Sequence, residues 1–307
     1  MRILLIGSTG QLGWELEKTL APLGELTALD YPDLDLSQAD GVRRFLRQKG
    51  RFQVIINAAA YTDVDRAESE LGRATAVNAV APGILGQEAR DLGAAFVHYS
   101  TDYVFDGAKG SPYAETDSPA PLNAYGRTKL AGERAVTGAG GAYLIFRTSW
   151  VYGLRRDSFV TKVLEWARSQ RTLRIVDDQV GNPTWARSLA EATGRVLGLA
   201  MDGRATGAGQ ASPERLRDYI SERAGLYHLA GDGFATRLEW AKEILALDPK
   251  PQGQVVQQLL PAKTTDFPTA AKRPLFSALD CGKFERTFGF RLTAWKDALR
   301  RAFNAPP

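Results

Sequence analysis

The first half of the chain alternates short apolar runs with longer stretches of helical period. Ile3-Leu4-Leu5-Ile6, Leu26 to Leu29, Val54-Ile55-Ile56, Ala94 to Tyr99 and Leu144 to Ser149 are nearly unbroken apolar runs. Such runs mark strands buried on both faces. Helical stretches separate them: Trp14 to Leu20, a segment ending at Gln48, one holding Asn78, and one carrying Tyr125. Five strands alternating with helices predict an α/β fold with a doubly wound parallel sheet. After Gly153 the pattern becomes irregular and a smaller α/β unit begins. Helices are expected over Ser158 to Gln170, Ser188 to Leu199, Arg237 to Leu247 and Thr293 to Phe303, with a short strand at Arg174-Ile175-Val176. Leu226 to Leu229 reads as a further strand of the main sheet. Met201 to Ser212, rich in glycine and alanine, reads as a surface loop, and Lys263 to Pro274 is punctuated by proline.

The first run leads into Gly7-Ser8-Thr9-Gly10-Gln11-Leu12-Gly13 and then into a helix. Strand, glycine turn and helix start together form the context of a dinucleotide site. Gly7 allows the turn, Gly10 lets backbone approach a pyrophosphate, and Gly13 lets helix and strand pack closely. Asp30 ends the second strand, where a carboxylate can bond ribose hydroxyls. Pro32 to Ser37 is expected to cap the next helix, with Asp35 and Leu36 near an adenine or simply in the capping loop. Ala58 and Ala60, at the carboxyl end of the third strand, would let a cofactor lie against backbone or would only pack. Asn78 is either a site residue or a structural hydrogen bonder. The expected division is a dinucleotide-binding unit over 1–152, with returning segments near 185–200 and 225–232, and a substrate unit over 153–184 and 233–307.

Tyr125 and Lys129 are four apart, hence on one helix face. A nearby ammonium pulls a phenol's pKa down from its ordinary value near 10. An amphipathic tyrosine beside a snorkelling lysine gives the same spacing. Thr101, after the fourth strand, could bond the Tyr125 phenol or a substrate oxygen, or serve a turn.

Composition narrows the class. Of 307 residues, 44% are hydrophobic and 24% charged, as in an ordinary globular protein. The net charge of +4 is small, and basic pairs such as Arg43-Arg44 and Arg155-Arg156 are scattered, which reads as solvated surface and argues against nucleic acid. One cysteine, Cys281, and two histidines exclude an intrachain disulfide and a Cys/His zinc cluster. No apolar run approaches the ~18 residues of a membrane span, so a cytoplasmic enzyme or binding protein is expected.

Together, Gly7 to Glu15, Asn57 to Ala67, His98 to Gly107, Pro121 to Glu133, Phe146 to Gly153, Asp178 to Thr184, Gly225 to Ala230 and Arg273-Pro274 with Ser277 and Leu279 resemble the extended short-chain dehydrogenase/reductase family. They resemble in particular its reductases of dTDP-linked 4-keto sugars. The run His98-Tyr99-Ser100-Thr101-Asp102-Tyr103-Val104-Phe105 is the most specific part. The resemblance implies a Rossmann sheet and a Thr101–Tyr125–Lys129 catalytic set. It implies that Thr101, Asp102 and Trp150 touch the sugar. It places Gly10, Gln11, Leu12, Asp30, Asp35, Leu36, Ala60, Tyr61, Thr62, Tyr125 and Lys129 around NADH or NADPH. The implied partners are a small sugar nucleotide and a second copy of the chain, without nucleic acid or membrane. Two departures stand out. The segment from Met201 to Glu222 is longer than the family's usual connection. Magnesium at a glutamate-lined subunit contact is also associated with the family; Glu15 is present here, but Arg187 stands where a second glutamate is expected. An epimerase or dehydratase of the same superfamily, and a regulatory subunit like the methionine adenosyltransferase beta subunit, share much of the pattern.

Overall fold

The computed structural model describes residues 1–201 and 213–305. Six strands form one parallel sheet: β1 (Arg2–Ile6), β2 (Glu25–Leu29), β3 (Val54–Asn57), β4 (Ala95–Thr101), β5 (Tyr143–Thr148) and β6 (Gly225–His228). Their order is β6-β5-β4-β3-β1-β2. The chain leaves β1 for β2 on one side and returns to β3 on the other. That reversal opens a crevice at the carboxyl ends of β1 and β3, the expected place for a ligand.

The apolar runs alternate between two cores. Ile3, Leu5, Val54 and Ile56 pack with the helices Gln11–Leu20 and Ala186–Met201. Leu4, Ile6 and Ile55 face the other way, against Ala39–Lys49 and Ala81–Asp91. A third core joins Tyr152, Val160, Leu173, Trp240 and Leu299. It holds together the helices Phe159–Ser169, Arg237–Ala246 and Trp295–Asn304 and the strand Thr172–Val176, which pairs with Gln258–Ala262.

Several boundaries differ from expectation. Gly10 is already the N-cap of the first helix, so the helix starts at Gln11. Pro32 to Ser37 does not cap the second helix: Ser37 N–H donates to Asp35 in a local turn, and the N-cap, Gln38, makes no side-chain capping bond. Phe284, Phe288 and Leu292, placed by sequence in the second unit, belong to the first core. The helix of Phe284 and Phe288, Gly282–Phe288, was not expected; its rings pack on Phe146 and Tyr227 of β5 and β6. Helix Pro213–Glu222 was also missed, because only Leu216 and Ile220, with partly buried Tyr219, are seen to pack it on that core. Met201 closes a helix, and the rest of the expected loop, to Ser212, lies outside the described residues. Among the described residues, no helix is long and apolar enough to cross a membrane.

The end of β6 sets a pH dependence. His228 is fully buried; its Nδ1 lies 2.9 Å from the Tyr113 carbonyl and its Nε2 3.5 Å from the Arg147 guanidinium. Burial, then Arg147, pushes its pKa down from 6.5 to about 3. The folded state therefore stays neutral where the unfolded chain takes up a proton. Stability should be insensitive to this histidine above pH 6.5. It should fall by up to about 1.4 kcal/mol per pH unit as pH drops from 6.5 towards 3. Buried His98, also held well below its ordinary value by burial, acts in the same direction. Urea midpoints between pH 7 and 4 measure the slope, and His228→Asn should flatten it. An equally steep profile in the variant would remove His228 as the cause.

Candidate active site

The glycine turn is built by close approach. Gly7 has φ +87°, and a Cβ there would lie 2.5 Å from the Ala59 nitrogen. A Cβ on Gly13 would lie 1.9 Å from the Gly7 carbonyl oxygen, so helix and turn fit only without it. Gly10 brings no side chain to the helix start, leaving its N–H groups and positive dipole end at the crevice. The Asp30 carboxylate pins the turn: Oδ2 accepts from the Thr9 N–H at 2.9 Å and hydroxyl at 2.5 Å, and Oδ1 from the Tyr31 N–H at 2.8 Å.

Asn78 is a clamp. Its Oδ1 accepts from the Tyr61 N–H at 2.8 Å, and its Nδ2 donates to the Tyr61 carbonyl at 3.1 Å and to Thr128 at 3.2 Å. It fixes the Ala58–Thr62 loop to the helix Ala124–Ala139, which carries Tyr125 and Lys129. That helix starts on the Thr101–Val104 turn so closely that a Cβ on Gly126 would lie 2.2 Å from the Tyr103 carbonyl oxygen. The Asn123 side chain caps it, accepting from the Gly126 N–H at 2.8 Å.

Thr101 ends β4, and its hydroxyl reaches both Asp102 Oδ1, at 3.1 Å, and the Tyr125 phenol. The Asp102 carboxylate also accepts from Ser149 at 3.0 Å and Ser277 at 2.5 Å. Burial raises its pKa, and these three hydroxyls oppose the rise.

The acidity of Tyr125 runs opposite to expectation. Burial pushes the phenol up, Asp102 and Tyr103 add to the rise, and only Thr101 opposes. The Lys129 ammonium does not reach the phenol; it donates to the Tyr99 carbonyl at 2.6 Å and lies 3.5 Å from His98 Nε2. Burial brings Lys129 down to about 8, against Glu133. Tyr125 is therefore protonated at neutral pH, as a proton donor must be.

Trp150 leaves β5 with φ +45°, a left-handed conformation that costs a non-glycine residue of order 1 kcal/mol or more. Its surroundings hold it there. Trp240 stacks on it at 5.6 Å, Arg237 lies 3.6 Å from its ring centroid, and a Cβ on Gly181 would meet its Cε2 at 2.5 Å. It is both a packing residue and a wall of the crevice.

The crevice is about 830 Å³. It joins Gly7, Gly10, Gln11, Leu12 and Asp30 from the turn side with Ala58, Ala60 and Thr62 from the β3 end. Thr101, Asp102, Tyr125, Lys129 and Trp150 form its far end. Four expected residues lie outside the lining. Gly13 packs the turn, Leu36 is core, Asp35 holds its own loop, and the Tyr61 hydroxyl donates to Glu70 at 3.0 Å. Arg155 and Arg156 are exposed, as expected, yet both make contacts at the turn or the crevice. Arg155 lies 4.0 Å over Trp14 and donates to the Thr9 carbonyl at 2.7 Å, while Arg156 and Asp157 line the crevice. Only their place in an irregular stretch hinted at this.

The residues present suit a dinucleotide. Gly7 and Gly10 line the crevice without side chains, and Gln11 Oε1 and Thr148 Oγ1, both buried, have no hydrogen-bond partner among the described residues. Glu15 does not suit a divalent cation: Arg187 pairs with its Oε2 at 3.0 Å, placing a fixed positive charge there. Among the described residues no cluster of three His, Cys, Asp or Glu could hold a metal.

The sheet order, the glycine turn and the Tyr-x-x-x-Lys helix over the carboxyl edge are those of an extended short-chain dehydrogenase/reductase. The chain matches the family model described as "RmlD substrate binding domain" over residues 1–306 and belongs to that family. It is 40% identical over 302 residues, 97% of each chain, to a dTDP-4-dehydrorhamnose reductase of Burkholderia thailandensis. Its structure resembles the crystal structure of a dTDP-4-dehydrorhamnose reductase from Clostridium acetobutylicum, with TM-score 0.86, 34% identity and 99% of each chain covered. It also resembles that of the Bacillus anthracis enzyme in complex with NADP, with TM-score 0.83 and 31% identity over 99% of this chain and 98% of that one.

Proposed function

We propose that the protein reduces the C4 ketone of dTDP-4-dehydro-L-rhamnose to dTDP-L-rhamnose, with NADH or NADPH. The observation that carries this is one crevice joining the glycine turn to Thr101, Tyr125 and Lys129, in a chain 40% identical to a curated dTDP-4-dehydrorhamnose reductase.

The dinucleotide, when bound, supplies the hydride. Gly7, Gly10 and the helix start at Gln11 would hold its phosphates, and Ala58, Ala60 and Thr62 its path along β3. Tyr125, held protonated by burial, gives its proton to the oxygen developing at C4. Thr101 bonds the same oxygen and stabilises its growing charge. Lys129, at the same end of the crevice, holds a ribose. Trp150 and Asp102 orient the sugar. The protein works in the cytoplasm as a homodimer, which sedimentation would test. In this reading the chain keeps the proposed division into a dinucleotide-binding and a substrate unit, with the helix Gly282–Phe288 assigned to the former because its rings pack in the first core.

Incubation with the dTDP-4-keto sugar and either reduced cofactor, followed at the nicotinamide band, tests the reading. No loss of absorbance with either cofactor would sink it, and a stoichiometric synthetase partner in its place would favour a regulatory subunit.

Lys129→Met should lower turnover and weaken cofactor binding. Lys129, brought down to about 8, carries its charge below that pH and loses it above. Wild-type kcat/KM should therefore fall above about pH 8, and the variant should lack that limb. The same limb in the variant would assign it to another group.

A further inference from the structure

Arg237 opens the helix Arg237–Ala246, where a cation faces the positive end of the helix dipole. Its guanidinium sits among rings, 3.6 Å from the centroid of Trp150, 5.0 Å from Phe159 and 5.5 Å from Trp240. Rings hold a cation without neutralising it. Asp102 and Tyr103 act on it only through space, and Arg273 opposes them. Among the described residues it makes no ion pair within 4.0 Å and no side-chain hydrogen bond. Nearby arginines differ: Arg273 grips Asp65 at 2.9 and 2.6 Å, and Arg147 grips Glu133 at 2.8 and 2.6 Å. Arg237 is partly buried; a guanidinium carries five donors, and leaving those turned from water unmade is costly. Burial brings Arg237 down to about 10, so it remains charged at neutral pH.

Its position gives that charge a use. Trp150, the ring beneath it, lines the catalytic crevice. Arg237 itself lines a second cavity of about 400 Å³, walled by Phe159, Trp166, Leu173, Ile175 and Phe267. It stands between the sugar end of the crevice and an aromatic chamber.

We propose that Arg237 is the substrate's anion site, its guanidinium fork binding the diphosphate of a nucleoside diphosphate sugar. The sugar then reaches past Trp150 to Tyr125, and the nucleoside lies towards the aromatic chamber. The inference rests on the proposed sugar-nucleotide reading for the ligand's class, but the anion site is testable without it. Binding places the missing acceptors on the guanidinium and fixes Trp150 between ligand and Trp240.

Calorimetry at fixed salt on the full chain tests this, with thymidine diphosphate, inorganic pyrophosphate and NADPH as probes. Arg237→Gln should bind thymidine diphosphate and pyrophosphate about ten- to a hundredfold more weakly, the scale of a lost charge-assisted hydrogen bond. Its NADPH affinity should not change, and the substrate KM should rise more than kcat falls. Arg237→Lys keeps the charge but not the fork, so it should lose several-fold for thymidine diphosphate with NADPH unchanged. It decides the matter if the glutamine variant is unstable. Wild-type affinity for thymidine diphosphate in either variant overturns the proposal, as does a wild-type protein that binds neither anion. Loss of pyrophosphate binding on substitution, in a protein that does not reduce the dTDP-4-keto sugar, keeps the anion site and rejects the reductase reading. Reduction of that sugar with an unaltered KM in Arg237→Gln does the reverse.

Discussion

Tyr125→Phe is expected to lower kcat by about 10²–10⁴-fold, the usual contribution of a positioned general acid. The substitution removes one hydroxyl from a partly buried ring whose edge-on contact with Tyr103, at 5.8 Å, does not depend on it. The fold and the affinity for NADPH should therefore be retained. Because burial holds the phenol well above its ordinary pKa, the wild-type proton donor should stay loaded across the neutral range. Steady-state turnover with saturating sugar nucleotide and cofactor gives the first number, and cofactor titration the second. A variant retaining more than a third of wild-type turnover would take Tyr125 out of the mechanism.

Arg147→Met should cost about 3–5 kcal/mol of stability, a large share of the ~5–15 kcal/mol typical of a folded domain. Arg147 on β5 and Glu133 on the helix Ala124–Ala139 have side chains only 4% exposed and bond through two N–H donors, at 2.8 and 2.6 Å. Ser100 adds a third bond to Glu133 at 2.5 Å. Removing the guanidinium leaves a buried carboxylate with one hydrogen bond, from Ser100, and the charge of Lys129 only through space, which is the expensive way to break such a pair. Replacing both partners, as in Glu133→Leu with Arg147→Met, should recover most of the loss, because the two desolvation costs vanish together. Urea unfolding of the three proteins gives the comparison. A single variant within 1 kcal/mol of wild type would show that the pair contributes little.

The sheet was legible because burial on both faces writes an unbroken apolar run, as in Ile3-Leu4-Leu5-Ile6. The far end of the crevice was legible because Thr101, Asp102, Tyr125 and Lys129 sit in long specific strings. What spacing cannot carry is the direction of a flexible side chain. Four residues of separation put Lys129 on the face of Tyr125, yet its four-carbon stem turns to the Tyr99 carbonyl. The ring contacts of Arg237 and Arg155 were illegible for the same reason: nothing at a helix start or in an irregular stretch names an arginine's partner, and only the fold brings Trp150 or Trp14 to it. Leu36 shows the converse, a residue in an expected cofactor position that the neighbouring helix draws into the core. Asn78 had two open readings, and its bonds to Tyr61 and Thr128 make it a clamp.

The position of β6 orders the making of the protein. Gly225 pairs with Leu144, so β5 is a sheet edge until the ribosome has passed the end of β6. At about 5–20 residues per second, the stretch between them takes roughly 4–16 seconds. Throughout that interval Leu144, Ile145 and Phe146 present unpaired backbone beside apolar side chains, the kind of edge that recruits other chains. Five strands and the whole helix Ala124–Ala139 can be in place before it closes. The nascent chain thus passes through a state in which Thr101, Tyr125 and Lys129 are assembled while the sheet is still unfinished.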